Sequence, residues 1–235
     1  METDMVDRLW ETDKAFERPT GISPALGAAY YAQPAYEVVN DPYDRASHGM
    51  MEDQFKTGGI QVSSGGAAWP LRMELTDIDI DDIAHSLSMK VRYTGHSLAD
   101  YKIAQHCCHV HDLVPEEDRH EALMHDSSEY VLPDVAAPVK HSPEFEAFFK
   151  PIEHQAEVAI AKRFNLRFPW PPSVKYADNQ MAWFEKERIM SKPKWPWMVW
   201  TIPVVEPAVI PDFEVWGWER AKYEFLARAR RLEIR

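Results

Sequence analysis

Cysteine is scarce in this sequence. Two occur, Cys107 and Cys108, and they are adjacent. They fall in a stretch that reads as helix, where neighbours point about 100° apart, so no structural disulfide between them is expected. No stretch near Met1 reads as a secretory signal, and together these features point to a reducing, cytoplasmic setting. Also missing is any apolar run near the roughly 20 residues that a membrane span requires. Positive charge is the minority, with 26 Lys+Arg against 38 Asp+Glu and a net of -12. Such a surface repels polyanions, which argues against nucleic-acid and anionic-membrane partners but leaves room for a local basic pocket and a small phosphorylated ligand. There is no glycine-rich phosphate loop and no Gly-x-Ser-x-Gly elbow, so P-loop NTPase and serine-hydrolase readings lack support. Internal repeats are absent too.

What is present suffices for one well-buried domain. The chain has 235 residues, 45% hydrophobic and 12% aromatic, which excludes wholesale disorder and a collagen-like fibre. Residues 1–56 mix small and polar residues with scattered Tyr, Pro and Asp and hold no helical or strand period, the pattern of a loosely packed extension. Residues 57–192 carry the periodic segments and form the expected domain. Residues 193–235 begin with five Pro and five Trp within KPKWPWMVWTIPVVEPAVIPDFEVWGW, an irregular strap laid on that domain, and end in a helix.

Within the domain, GGIQVSSGGAAWPLRMEL predicts two short strands about a glycine turn. Helices follow. Asp79 or Asp81 caps the first, with Ile80, Ile83, Ala84 and Leu87 on one face. LADYKIAQHCCHVHDLV gives a second. Pro115 opens a third, PEEDRHEALMHDSSEYV, which stops before Pro133. An extended LPDVAAPVK leads to a helix capped by Ser142, which Pro151 should break or kink. Ser173 caps SVKYADNQMAWFEKERIM. The expected fold class is all-α with a minor β-hairpin.

Ten histidines occur, and most histidines on helices are surface or satisfied core residues. The pair His125-Asp126 stands out by its surroundings. Glu129 follows at offsets of four and three, placing it over the same helical face, and the apolar Ala122, Leu123 and Met124 anchor that face. Burying such groups unpaired is costly, and a divalent cation offsets the cost. His106 in the preceding helix and Asp178 in a later one fit the same site. Two imidazoles and two carboxylates suit one divalent transition metal, Zn²⁺, Mn²⁺, Co²⁺ or Fe²⁺, rather than Ca²⁺. A competing zinc reading groups His106, Cys107, Cys108, His109 and His111, although the two thiols diverge on a helix and structural zinc sites favour spaced pairs.

The ordered series RYTGH, YKIAQH, LMHDSSEYVLPDVAAPVK and VKYAD resembles the HD-domain metal-dependent phosphohydrolases. Within them it is similar to the small nucleotide hydrolases: bacterial 5'-deoxynucleotidases and the phage enzymes that include dATP triphosphohydrolases. The resemblance runs from about Gly58 to Met190 and implies an HD-domain helical bundle. It implies metal ligation by His106, His125, Asp126 and Asp178, with Glu129 activating or positioning the attacking water. Asp134 matches a second acid tied to catalysis or to the leaving nucleoside. Arg92 matches a phosphate or sugar contact, while Tyr93 stands where those relatives carry a larger aromatic against base and sugar. Lys140 and Lys175 match lysines facing the phosphates in the triphosphohydrolase branch. For His96, phosphate contact and plain loop polarity stay equally open. No further histidine follows the His-Asp pair until His141, which favours a single metal. Relatives are commonly homo-oligomers, and for a phage-encoded chain the compartment would be the host cytoplasm.

The implied activity is hydrolysis of a deoxynucleotide. The favoured form converts a dNTP, dATP-like, to deoxynucleoside and triphosphate; the alternative converts a dNMP to deoxynucleoside and phosphate. Guanosine tetraphosphate hydrolysis shares the metal logic, and a non-catalytic nucleotide- or partner-binding protein on the same scaffold is the reading from another class.

Overall fold

The computed structural model describes residues 58–194 and 213–235. The expectations for residues 1–56 and for most of the Trp/Pro-rich strap lie outside them. Within them the fold is mainly α with one small two-stranded sheet.

The hairpin pairs β1 (Ile60–Gln61) antiparallel with β2 (Ala67–Ala68), Ile60 opposite Ala68. Gly65 turns it at φ +89°, a conformation only glycine adopts without strain. Beyond β2 the chain forms a 3-10 turn, Met73–Leu75, rather than more strand. The hairpin loop is tied down by Asp82, whose carboxylate accepts from Ser63 Oγ at 2.5 Å, Ser64 N at 2.7 Å and Ser64 Oγ at 2.7 Å.

Asp82 belongs to α1 (Ile80–Met89), capped by the Asp79 side chain, which accepts from Asp81 N at 2.7 Å. Ile80, Ile83, Ala84 and Leu87 are all buried, as their spacing predicts. α2 (Ile103–Leu113) begins later than its sequence suggests. Tyr101 and Lys102 are drawn instead into an antiparallel bridge with Val91, with Arg92 N bonded to Tyr101 O and Ile103 N to Lys90 O. That pairing takes backbone groups a longer helix would need.

The segment after Pro115 is not one helix. A 3-10 turn, Glu116–Asp118, leads into α3 (Arg119–Met124). His125 stays helical, Asp126 departs at φ -98° and ψ 14°, and Ser127–Tyr130 forms another 3-10 turn. A short helix, α4 (Ala137–Lys140), stands where an extended segment is expected. α5 (Pro143–Phe164) runs unbroken through Pro151. An internal proline removes one backbone bond, and the buried Phe149 on one side and Ala156, Ile160 and Ala161 on the other hold both halves to the body. Ser142 precedes α5 without a capping bond; its hydroxyl donates to Val139 O at 2.9 Å. α6 (Pro172–Ile189) starts one residue before Ser173, whose hydroxyl bonds Asp118 instead of capping.

α7 (Trp218–Arg231) packs on α1, α2 and α3. The chain entering α7 is fastened by the fully buried Gln105, whose amide donates to Glu214 O at 2.7 Å and accepts from Trp216 N at 2.9 Å. Two apolar clusters result. The larger joins α1, α2, α3, α5 and α7; the smaller joins Val110 and Val114 to Val174, Ala177, Met181 and Phe184 of α6. α2 is the shared wall, buried continuously from Ile103 to His111. No helix among the described residues is long and apolar enough to cross a membrane.

Candidate metal centre

A helix buried on all sides must dispose of its polar side chains internally. His106, on α2, is fully buried, and its Nε2 faces the end of α3 and the middle of α6. His125 Nε2 lies 3.3 Å from it. Asp126 Oδ2 lies 3.6 Å from His106 Nε2 and 3.4 Å from His125 Nε2. Asp178 Oδ1 lies 3.2 Å and 4.0 Å from the same two nitrogens. The break in helix after Met124 turns the adjacent His125 and Asp126 toward one point, a projection that neighbours on a regular helix do not share.

His106, His125 and Asp126 present ligand atoms within 4.8 Å of one another and form a group that could hold a metal ion. Two donors about 2.1 Å from a shared ion stand about 3.0 Å apart at a right angle and about 3.4 Å apart at the tetrahedral angle. Two of the three separations within the trio fall in that range, as does Asp178 Oδ1 to His106; His106 to Asp126 at 3.6 Å and Asp178 to His125 at 4.0 Å lie above it. The imidazoles are also oriented for the task. His125 Nδ1 lies 2.8 Å from Ala122 O, and His106 Nδ1 lies 2.6 Å from Glu185 Oε1. Both partners only accept, so each Nδ1 carries a proton and each Nε2 is the atom turned inward, the orientation typical of metal-bound histidine.

Electrostatics around the trio is strongly polarised. Burial opposes charging of His125, but Asp126 outweighs it and holds that pKa above the ordinary value. Burial likewise opposes the Asp178 carboxylate, and His106 and Lys175 overcome it, holding its pKa well below the usual range. Burial, then the negative charges of Asp126 and Asp134, push Glu129 well above the usual carboxyl range. Its Oε2 is buried with no hydrogen-bond partner among the described residues, while its backbone carbonyl is held by Lys90 Nζ. The 3-10 turn thus brings Glu129 beside Asp126, though by a different backbone path from the regular helix the sequence suggests.

The other expected residues divide. Arg92 is at the site, Nη1 3.2 Å from Asp126 Oδ2 and Nε 3.1 Å from Glu185 Oε2. Tyr93 also reaches Glu185, through its hydroxyl. Lys175 Nζ holds Asp178 Oδ2 at 2.9 Å. Lys140 pairs with Glu153 Oε1 at 2.6 Å and acts electrostatically on Glu129 and Asp134. Asp134, half-buried, is pushed up by burial and bonds to none of the site's side chains. His96 is exposed at the end of the Tyr93–Gly95 turn; its backbone N–H donates to Tyr93 O at 2.9 Å, and its side chain makes no hydrogen bond to the site among the described residues.

The competing zinc reading finds no support among the described residues. Cys107 and Cys108 are fully buried in the larger apolar cluster. Burial pushes the His109 pKa down to about 4, and its Nδ1 lies 2.9 Å from Tyr101 Oη. His111 Nδ1 pairs with Asp112 at 2.7 Å.

Glu185 escapes the sequence reading altogether, although a signal exists: it follows Asp178 by two helical turns and therefore shares its face. Glu157 is a second omission. Its carboxylate accepts from Trp170 Nε1 at 3.3 Å, and burial, then Glu153, lift its pKa to about 7.

No protein-family profile matches the chain. It is 37% identical over 128 residues to the uncharacterized protein YfdR of Escherichia coli strain K12, covering 54% of this chain and 70% of the relative. It is 33% identical over 126 residues to the uncharacterized protein RCAP_rcc00048 of Rhodobacter capsulatus, covering 48% of this chain and 63% of that relative.

Proposed function

The chain belongs to the family of the Escherichia coli protein YfdR, and from its site we propose that it is an HD-domain phosphohydrolase that uses one divalent transition metal to remove phosphate from a deoxynucleotide. A single observation carries the proposal: His106, His125 and Asp126 bring donor atoms within 4.8 Å of one another, with Asp178 Oδ1 3.2 Å from His106 and the half-buried Glu129 beside them. The resemblance of the motif series to HD phosphohydrolases supports the same reading.

When bound, the cation supplies Lewis acidity that makes water a nucleophile near neutral pH and polarises a phosphoryl oxygen. The chain's own residues supply the rest. Asp126 and Asp178 bring negative charge to two imidazole lone pairs, a donor set suited to Zn²⁺, Mn²⁺, Co²⁺ or Fe²⁺. Glu129 is the general base: its unpartnered Oε2 takes the proton of the attacking water. The water oxygen bonds to phosphorus, the bond from phosphorus to the nucleoside 5' oxygen breaks, and the proton passes to that oxygen. Asp134 serves the leaving nucleoside. Arg92, Lys140 and Lys175 stabilise charge growing on the phosphoryl oxygens; Arg92 exchanges its contact with Asp126 for one with substrate. Two lysines beyond the first phosphate contact favour a triphosphate, so dNTP to deoxynucleoside and triphosphate is the leading form, and dNMP hydrolysis the second.

The deciding experiment incubates the full chain with Mn²⁺, Co²⁺ or Zn²⁺ and each dNMP and dNTP, separating phosphate from triphosphate. Triphosphate release supports the leading form, and phosphate from dNMPs alone selects the second. No turnover of any nucleotide by the metal-loaded protein rejects the proposal.

A further inference from the structure

Glu185 lies four residues before the end of α6 with no solvent exposure, and it is shared by three donors from two other elements. Oε1 accepts from His106 Nδ1 at 2.6 Å; Oε2 accepts from Arg92 Nε at 3.1 Å and from the Tyr93 hydroxyl. A fully buried carboxylate is expensive unless its lone pairs are met, and here three donors meet them. Arg92 and Tyr93 lie outside any α-helix, at the start of the 3-10 turn Tyr93–Gly95, and Tyr93 and Thr94 adopt left-handed φ values of 59° and 53°, which non-glycine residues hold only when surroundings impose them. The Tyr93 and Arg92 bonds to Glu185 supply that imposition.

We infer that Glu185 is a positioning residue that joins the two halves of the site: one oxygen fixes His106 in its ligating tautomer, and the other seats the Arg92–Tyr93 arm beside it. The inference rests on the metal reading of His106. An acceptor at Nδ1 makes Nε2 the free lone pair and raises its basicity, the second-sphere effect whose loss weakens metal affinity about 10–100-fold. Glutamine is no substitute, because its carboxamide replaces one accepting oxygen with an N–H donor. At least one of the three donors then faces another donor. Aspartate keeps the charge but is one methylene shorter, so it restores the interaction in part.

The test measures Mn²⁺ and Zn²⁺ affinity of the full chain by chelator competition, for wild type, Glu185→Gln and Glu185→Asp, alongside the thermal midpoints of the metal-free proteins. The expected result is at least tenfold weaker binding in Glu185→Gln, partial recovery in Glu185→Asp, and no such graded loss explained by the metal-free midpoints. Wild type that binds metal while Glu185→Gln binds within threefold of it overturns the inference. Wild type that takes up no metal overturns the site reading itself, and this inference with it. Should neither variant fold, long-range ¹H–¹⁵N spectra of the wild-type imidazoles decide the matter: a slowly exchanging proton on His106 Nδ1 supports the inference, and an Nδ1 that carries no proton overturns it.

Discussion

Asp178 uses its two oxygens in opposite directions: Oδ1 stands 3.2 Å from His106 Nε2, while Oδ2 is held 2.9 Å from Lys175 Nζ. The lysine, one helical turn earlier, sets the carboxylate's heading. A residue expected to face phosphate thus already has a place in the site, with Nζ largely in solvent and free to turn toward an anion.

Glu129→Gln separates ligation from proton transfer. Glutamine is nearly isosteric and leaves the four donor groups in place, but it cannot accept the proton of the attacking water. Turnover should fall about 10²–10⁴-fold, with metal affinity within a few-fold of wild type. Parallel titration calorimetry and nucleotide hydrolysis check this; an unchanged rate excludes Glu129 as the base.

Glu157 predicts a pH dependence of stability. Its pKa is about 7 in the folded chain, against an ordinary 4.5, so between those values the folded state holds more proton than the unfolded state. Stability therefore falls as pH rises through that window. Glu157→Gln removes this contribution and should exceed wild type by about 1–3 kcal/mol at pH 8 while approaching it at pH 4.5. Urea unfolding at the two pH values measures it, and equal wild-type and variant midpoints at pH 8 contradict it.

Gln105 predicts how the C-terminal helix is retained. Gln105→Ala removes the Gln105 carbonyl from the buried Trp216 amide and the Gln105 amide from Glu214 O, and it opens a cavity in the fully buried position. A buried polar group so orphaned costs about 1–3 kcal/mol, and the cavity adds to this, so the variant should lose at least about 2 kcal/mol. Hydrogen exchange should quicken first in α7. Unaltered protection there contradicts this role.

The legible parts of the chain are those where local pattern and tertiary packing agree. The amphipathic face of α1 and its Asp79 cap follow from spacing alone, as does the hairpin's glycine turn. The divergences share a physical cause: backbone groups claimed by something distant. Tyr101 and Lys102 leave the helical register because they pair with Val91, and the helix after Arg119 breaks at Asp126, where the donor groups converge. The candidate ligand residues are legible because histidine and aspartate are conspicuous. Glu185 is not, because a glutamate in the charged run Glu185-Lys186-Glu187-Arg188 looks like solvated surface until α6 turns it inward against His106.

The central claim is that four side chains hold one cation, and metal stoichiometry tests it most directly. The full chain, dialysed against Mn²⁺, Co²⁺ or Zn²⁺ and measured by elemental analysis, should retain one ion per chain. Each of His106→Ala, His125→Ala, Asp126→Ala and Asp178→Ala should then weaken retention more than about 100-fold, beyond the loss typical of an outer partner. A wild-type protein that retains no ion, or one whose ion survives all four substitutions, contradicts the account.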